Sequence, residues 1–150
     1  MNKIRLILTM VVIFVLANLL GFFVHAIWLR PDYLQVISQN PNLFRPDGQE
    51  KMVPIILAYI AFAVGSVWVY AHGVQDKPVL IQGVRFGIAI WLILTVPSFF
   101  IAYATQPIPV LLLSKQVLSE LVAKIFLGVV TALVYGRGQL SLAQVTPTIE

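Results

Sequence analysis

Two residues of opposite charge, Glu120 and Lys124, lie in the middle of the last long apolar run of the chain. Residues four apart in a helix lie one turn apart on the same face, so this acid and this base can form an ion pair. At about 1.5 Å per residue from Val110, they lie ~15 to 20 Å along the run. A lone charge near the centre of a bilayer costs about 2.5–3.5 kcal/mol, so we expect the two to be paired and shielded from lipid.

This pair has two interpretations. In the structural one, it is an intrahelical salt bridge that neutralises itself and fixes how the helix packs. In the functional one, it is an ion or proton relay, or a charge that docks a partner subunit. Charged residues inside membranes are often functional, so the sequence leaves both interpretations open.

Two further polar residues lie within apolar runs. Arg85 lies about two turns into the third run, where its long side chain can extend to the lipid headgroups. Alternatively it reaches Glu120 and gives that carboxylate a second cation. Asn18 lies near the middle of the first run, and we expect its amide to bond to a neighbouring helix.

Aromatic, basic and imidazole side chains mark the ends of the runs, as expected where lipid headgroups begin; they are His25, Trp28, Arg30, Trp68 and His72. The two histidines fall at opposite ends, separated by nearly the ~30 Å thickness of the hydrocarbon core. They therefore cannot hold one haem iron, and no cysteine or second carboxylate completes a zinc or di-iron site. The sequence predicts no metal and no other cofactor.

Four apolar runs position these residues, at roughly 6–29, 52–71, 79–104 and 110–135. Each reaches or exceeds the ~20 residues that a helix needs to cross a bilayer. A backbone in lipid must also satisfy its own hydrogen bonds. The sequence therefore predicts an all-α integral membrane four-helix bundle, as one domain over residues 1–137 with a polar tail at 138–150. Gly136 and Gly138 are expected to end the fourth helix.

The connections and faces of the spans are also predicted. Tyr33, Leu34 and Ile37 indicate a short interfacial helix in the first loop, capped by Asp32. The short polar connection after Gly73 predicts that spans two and three are antiparallel neighbours. Small and polar residues at helical spacing predict the packed faces; they are Asn18, Gly21 and His25, then Ala58, Ala61 and Gly65, then Gly83 and Gly87, then Glu120, Lys124, Gly128 and Ala132.

Composition narrows the class of protein further. Apolar residues make up 59% of the 150 residues and charged residues 11%, which excludes an ordinary soluble domain. The net charge of +4 comes from basic residues placed singly at span ends, which suit anionic headgroups and not nucleic acid. The first run is too long for a signal peptide and is expected to be an uncleaved anchor. A small excess of basic residues predicts that both termini are cytoplasmic.

Three segments carry a resemblance: Gly83-Val84-Arg85-Phe86-Gly87, the stretch from Tyr103 to Pro109, and Gly128-Val129-Val130 with the closing Tyr135-Gly136. They resemble small four-span bacterial membrane proteins of unknown function, mainly over spans three and four. The resemblance implies a four-helix membrane bundle. The expected location is a bacterial inner membrane or a thylakoid-type membrane. It implies no substrate and no catalytic residue.

The sequence favours a protein that is not an enzyme, since it has no Ser-His-Asp set, nucleophile elbow or phosphate-binding glycine loop. The favoured function is an accessory, assembly or structural subunit of a larger membrane complex. The alternative is a small oligomeric transporter or proton-coupled carrier, with Glu120 as the titrating group. The expected partners are the lipid bilayer and either other membrane subunits or further copies of this chain.

Overall fold

A computed structural model describes residues 3–75 and 78–143 of the chain. Regular structure in these residues is entirely helical. Four helices are long and apolar enough to cross a membrane, and they are Lys3–Trp28, Met52–Gly73, Val79–Thr105 and Val110–Gly136. The predicted all-helical chain with four candidate spans is therefore confirmed at the level of length and composition.

The first span differs from a regular α-helix. Helix α1 runs from Lys3 to Gly21 and continues as a π-helix, Phe22–Trp28. At its end the N–H of Leu29 bonds to the carbonyl of Val24, five residues back, at 2.8 Å. A π-helix holds an extra residue in the turn, a feature frequent at functional sites. In this turn Val24 is buried, and His25, the next residue, contacts Tyr33 of the first loop.

The predicted short helix in the first loop is present as α2, Arg30–Gln39. Pro31 lies in its first turn, where a missing N–H costs nothing. Asp32 was expected to cap the helix, and this is wrong: no side chain caps it, and Asp32 forms an ion pair with Lys115 at 2.7 Å. Helix α2 therefore packs against the start of the last helix, with Leu29 and Val36 in one buried cluster.

The remaining helices are α3, Met52–Gly73, α4, Val79–Thr105, and α5, Val110–Ala143. The expected stop at Gly136 is wrong, because α5 continues through both glycines to Ala143. Each glycine costs about 1 kcal/mol in a helix, but the good helix formers around them let the hydrogen-bond ladder continue. The predicted polar tail is thus helical to residue 143, and residues 144–150 lie outside the described part.

Spans two and three are not close neighbours, contrary to the expectation from their short connection. Helix α4 packs along α5, α5 packs on α1, and α1 packs on α3. Among the described residues, α3 and α4 meet near their connection, where the rings of Tyr70 and Phe86 lie edge to face. The helices therefore pack in the order α4, α5, α1 and α3, and we group them as two pairs, α1 with α3 and α4 with α5. We call the end with the 30–51 segment the loop end and the opposite end the terminal end.

Glycines explain why α4 and α5 pack most closely. A Cβ built on Gly83 would lie 2.6 Å from the Cα of Val129, and one on Gly128 would meet the backbone of Gly83 and Gly87. Small residues let membrane helices approach until backbones touch. The predicted packed faces of spans three and four are therefore confirmed at Gly83, Gly87, Gly128 and the fully buried Ala132.

The predicted packed face of span two is wrong. Ala58, Ala61 and Gly65 are exposed, and nothing lies within 4 Å of a Cβ built on Gly65. The buried face carries Ala63, Ser66, Val67 and Tyr70. Small residues occur on both sides of this helix, so their spacing does not identify the packed side, and the larger Val67 and Tyr70 fill the interior instead.

Candidate functional site

The ion pair expected from the sequence spacing is present near the middle of α5. Lys124 Nζ lies 2.5 Å from Glu120 Oε2, and the two side chains are 14% and 25% exposed. The ammonium also lies 4.7 Å from the ring centroid of Phe62 on α3, within cation–π range. The pair therefore points into the bundle and not outward.

His25 joins this pair, although the sequence placed it alone at the end of the first span. Its Nε2 lies 3.7 Å from Glu120 Oε1, and its Nδ1 lies 2.8 Å from the hydroxyl of Tyr33 on α2. Gln116, one turn before Glu120, donates from its amide nitrogen to the same hydroxyl at 2.6 Å. Three elements thus meet at one polar cluster, which we define as His25, Tyr33, Gln116, Glu120 and Lys124.

One arrangement of hydrogens satisfies Tyr33, Gln116 and His25 together, and it has the neutral ring of His25 protonated on Nε2. In this arrangement the oxygen of Tyr33 accepts from Gln116 and its own hydrogen points to His25 Nδ1. A nitrogen that accepts carries no proton, so the hydrogen of the ring then lies on Nε2, facing Glu120. Burial raises the pKa of Tyr33, partly opposed by the Gln116 hydrogen bond, so the phenol keeps the proton that it donates.

A cleft of about 410 Å³ opens beside the cluster, between α4 and α5. That volume lies within the range of small-molecule sites. Four cluster residues line it, together with Thr95 and Ser98 of α4; its apolar wall is Leu94, Phe99, Ala102, Leu113 and Val117. Ser98 donates to its own helix at Leu94, whereas Thr95 has no hydrogen bond within the described residues. The cleft therefore presents both charges, free hydrogen-bonding groups and an apolar surface.

The other residues singled out in the sequence lie apart from the cluster. Asn18 was expected to bond to a neighbouring helix, but it donates within its own helix to the carbonyl of Phe14 at 2.8 Å. Arg85 is exposed and forms no ion pair within residues 3–75 and 78–143, so it does not reach Glu120. Trp28 and Trp68 are half exposed, and the ring of His72 lies 4.5 Å from that of Trp68 near the terminal end.

Arg30 links two copies of one short pattern. The triplet Arg-Pro-Asp occurs at residues 30–32 and 45–47. Arg30 of the first copy pairs with Asp47 of the second at 2.6 Å, while Asp32 of the first holds Lys115 of α5. The first loop is thus closed on itself and tied to the bundle next to the cluster.

Tyr33, Gln116 and the Asp32–Lys115 pair were not predicted as site residues. The first loop and α5 are 83 positions apart in each of these contacts. The spacing of neighbouring residues in the sequence does not indicate contacts between such distant parts of the chain. The described residues contain no group of three His, Cys, Asp or Glu side chains placed to hold a metal ion.

Comparisons of the chain with protein-family models, with curated proteins and with solved structures give no match. The resemblance to small four-span bacterial proteins therefore stays a prediction.

Proposed function

We propose that this protein is a small non-catalytic membrane carrier that binds its substrate in the cleft beside Glu120 and Lys124. The observation that carries the proposal is the placement of both charges on the wall of a cleft of about 410 Å³. Ionisable side chains that face the interior of a membrane bundle typically mark a path for ions or substrates.

The way in which the charged side chains of Glu120 and Lys124 face favours a carrier over a subunit that docks a partner. A charge that docks a partner helix has to face the outside of the bundle. Glu120 and Lys124 instead satisfy each other inside it, with Lys124 against Phe62. A substrate bound in the cleft would compete with Glu120 and Lys124 for each other. Binding of the substrate would therefore change the contacts that hold the helices together.

The two helix pairs provide a way to move. Helices α4 and α5 touch through glycine backbones and form a stiff unit. Helix α3 packs mainly against α1. A rocking of the α1–α3 pair against the α4–α5 pair would open the cleft to either side, as repeats rock in larger carriers. We place the protein in a bacterial inner or thylakoid-type membrane, as an oligomer with cytoplasmic termini.

The test is uptake into liposomes that contain the purified protein and a pH gradient, with labelled cationic, anionic and zwitterionic solutes. Glu120→Gln should lower uptake of the transported solute at least tenfold, because its carboxylate lines the path. Glu50→Gln, in the exposed first loop, is the matched control and should leave uptake unchanged. Uptake that survives Glu120→Gln in correctly assembled protein would contradict the carrier.

A second function, an accessory subunit of a larger membrane complex, is favoured by the outward face of α3. Ala58, Ala61 and Gly65 leave a smooth exposed strip on which another helix can pack. Mild-detergent extraction, native-gel sizing and mass spectrometry test this function. A stoichiometric complex that Gly65→Leu dissociates supports the subunit, while a species of this chain alone contradicts it.

A further inference from the structure

We infer that the ligand of the cleft is a small zwitterion with an apolar part, a molecule that carries an ammonium and a carboxylate close together on a hydrophobic body. The claim that this zwitterion is transported rests on the proposed carrier function. The claim that the cleft binds it does not. A hydrophobic α-amino acid such as leucine has this chemistry.

The balance of charge on the cleft is the first argument. One carboxylate, Glu120, and one ammonium, Lys124, line it. The nearby Asp32 and Lys115 neutralise each other. A net charge brought to this depth costs about 2.5–3.5 kcal/mol, so a cationic or anionic ligand is disfavoured. A zwitterion adds no net charge.

Unused hydrogen-bonding capacity is the second argument. Glu120 Oε1 has His25 at 3.7 Å, longer than a hydrogen bond, and so can accept from an ammonium. Lys124 has three N–H groups and uses one on Glu120, which leaves two for a carboxylate. The Gln116 carbonyl can accept a further ammonium hydrogen, and the hydroxyl of Thr95 has no partner among the described residues.

The apolar wall is the third argument. Leu94, Phe99 and Leu113 line the same cleft as the charges, with Ala102 and Val117. A purely polar zwitterion would leave this surface in contact with water, whereas an aliphatic side chain would cover it. Burial of such a side chain is worth about 1.5–3 kcal/mol.

Zwitterionic phospholipid headgroups share this chemistry. Glu120 lies ten positions beyond the start of α5 at Val110, which is about 15 Å along the helix from its loop end. A headgroup lies at the membrane surface, so this depth favours a free solute. The lipid composition used in the experiment separates the two sources.

The experiment is thermal unfolding of the full chain in phosphatidylglycerol nanodiscs, which contain no zwitterionic lipid. Leucine, leucinamide and N-acetylleucine are added separately; they are a zwitterion, a cation and an anion that share the leucine side chain. Leucine alone should raise Tm with a saturable dose response. A rise with only the cation or only the anion, or no rise with any of the three, would overturn the inference.

A second arm adds phosphatidylethanolamine to the nanodiscs. A higher Tm with loss of the leucine effect would keep the zwitterion and assign it to the lipid. The double variant Glu120→Gln/Lys124→Gln should weaken leucine binding at least tenfold, with the exposed Glu50→Gln/Lys51→Gln as control. Leucine binding without uptake would overturn the carrier only, and uptake restricted to another solute class would overturn this inference only.

Discussion

The hydroxyl of Tyr33 controls the chemistry available to His25. In the arrangement described above it accepts from Gln116 and donates to His25 Nδ1, so Nδ1 can carry a hydrogen only if this donor turns away. The freed hydroxyl then needs an acceptor, which a rotated Gln116 amide supplies through its oxygen. A change of tautomer at His25 is therefore coupled to a reorientation of two neighbours.

Tyr33→Phe removes this control. The His25 ring should then populate both neutral forms, because no donor holds Nδ1 free of a proton. Nitrogen-15 NMR of labelled imidazole in nanodiscs distinguishes the two forms. Tyr103→Phe is the control, since Tyr103 is exposed and is not part of the cluster. An imidazole spectrum unchanged by Tyr33→Phe would refute the assignment.

At this scale the sequence predicted one contact of the cluster. The pairing of Glu120 with Lys124 follows from their separation by four in a helix, which local geometry alone determines. The contacts of His25 depend on the π-helix and on the return of α2 to the bundle, and each joins distant parts of the chain. Asn18 shows the converse error: a polar side chain in a helix can bond to its own backbone, and the sequence does not say which partner it takes.

At the scale of helices, the contact between α4 and α5 is limited by backbone atoms. A methyl group at Gly87 or Gly128 would meet the backbone of the facing helix, which cannot move aside as a side chain can. Gly65 on α3 has free space at the same atom.

Gly87→Ala should therefore lower the free energy of unfolding by about 1–3 kcal/mol, the usual cost of overpacking. Gly65→Ala, the matched control, should be neutral or slightly stabilising because alanine favours helix. Thermal or denaturant unfolding in detergent measures both. Equal effects of the two variants would show that the close approach of α4 to α5 does not exist.

The ion pair between Asp32 and Lys115 ties α2 to α5 beside the cluster. Asp32→Asn should raise the rate of amide hydrogen exchange in α2, notably at the buried Val36, by about fivefold, since a partly exposed pair is worth up to about 1 kcal/mol. Asp47→Asn breaks the more exposed pair with Arg30 and should have a smaller effect on the same amides. A larger effect from Asp47→Asn would contradict the tether.

The helices themselves were largely predictable, since length and hydropathy determine where a span begins and ends. Which helices pack against each other was less predictable. The glycines of α4 and α5 gave the right faces because each helix has one such stripe, whereas α3 has small residues on both sides. The extension of α5 past Gly136 was missed because a glycine weakens a helix without being forced to end it.

At the scale of the whole molecule, four crossings by the four candidate spans would put both termini on one side of the membrane. The chain contains no cysteine, so single introduced cysteines report their side without background. Gln75→Cys, near the terminal end, and Gln49→Cys, in the first loop, should react with an impermeant maleimide from opposite sides of sealed membrane vesicles. Cytoplasmic termini predict that Gln75→Cys is the cytoplasmic one, and reaction of both from one side would contradict four crossings.

The intrahelical pairing of Glu120 and Lys124 also bears on how the chain is made. Both partners belong to α5, so the pair can form as soon as this last segment is helical, before it has met any other helix. If α5 crosses a bilayer, the segment would enter it with no net charge at its centre, and neither charge would need a partner from another helix. His25 lies 95 positions earlier in the chain, so its contact with Glu120 can form only when the first and last of the four helices have packed together.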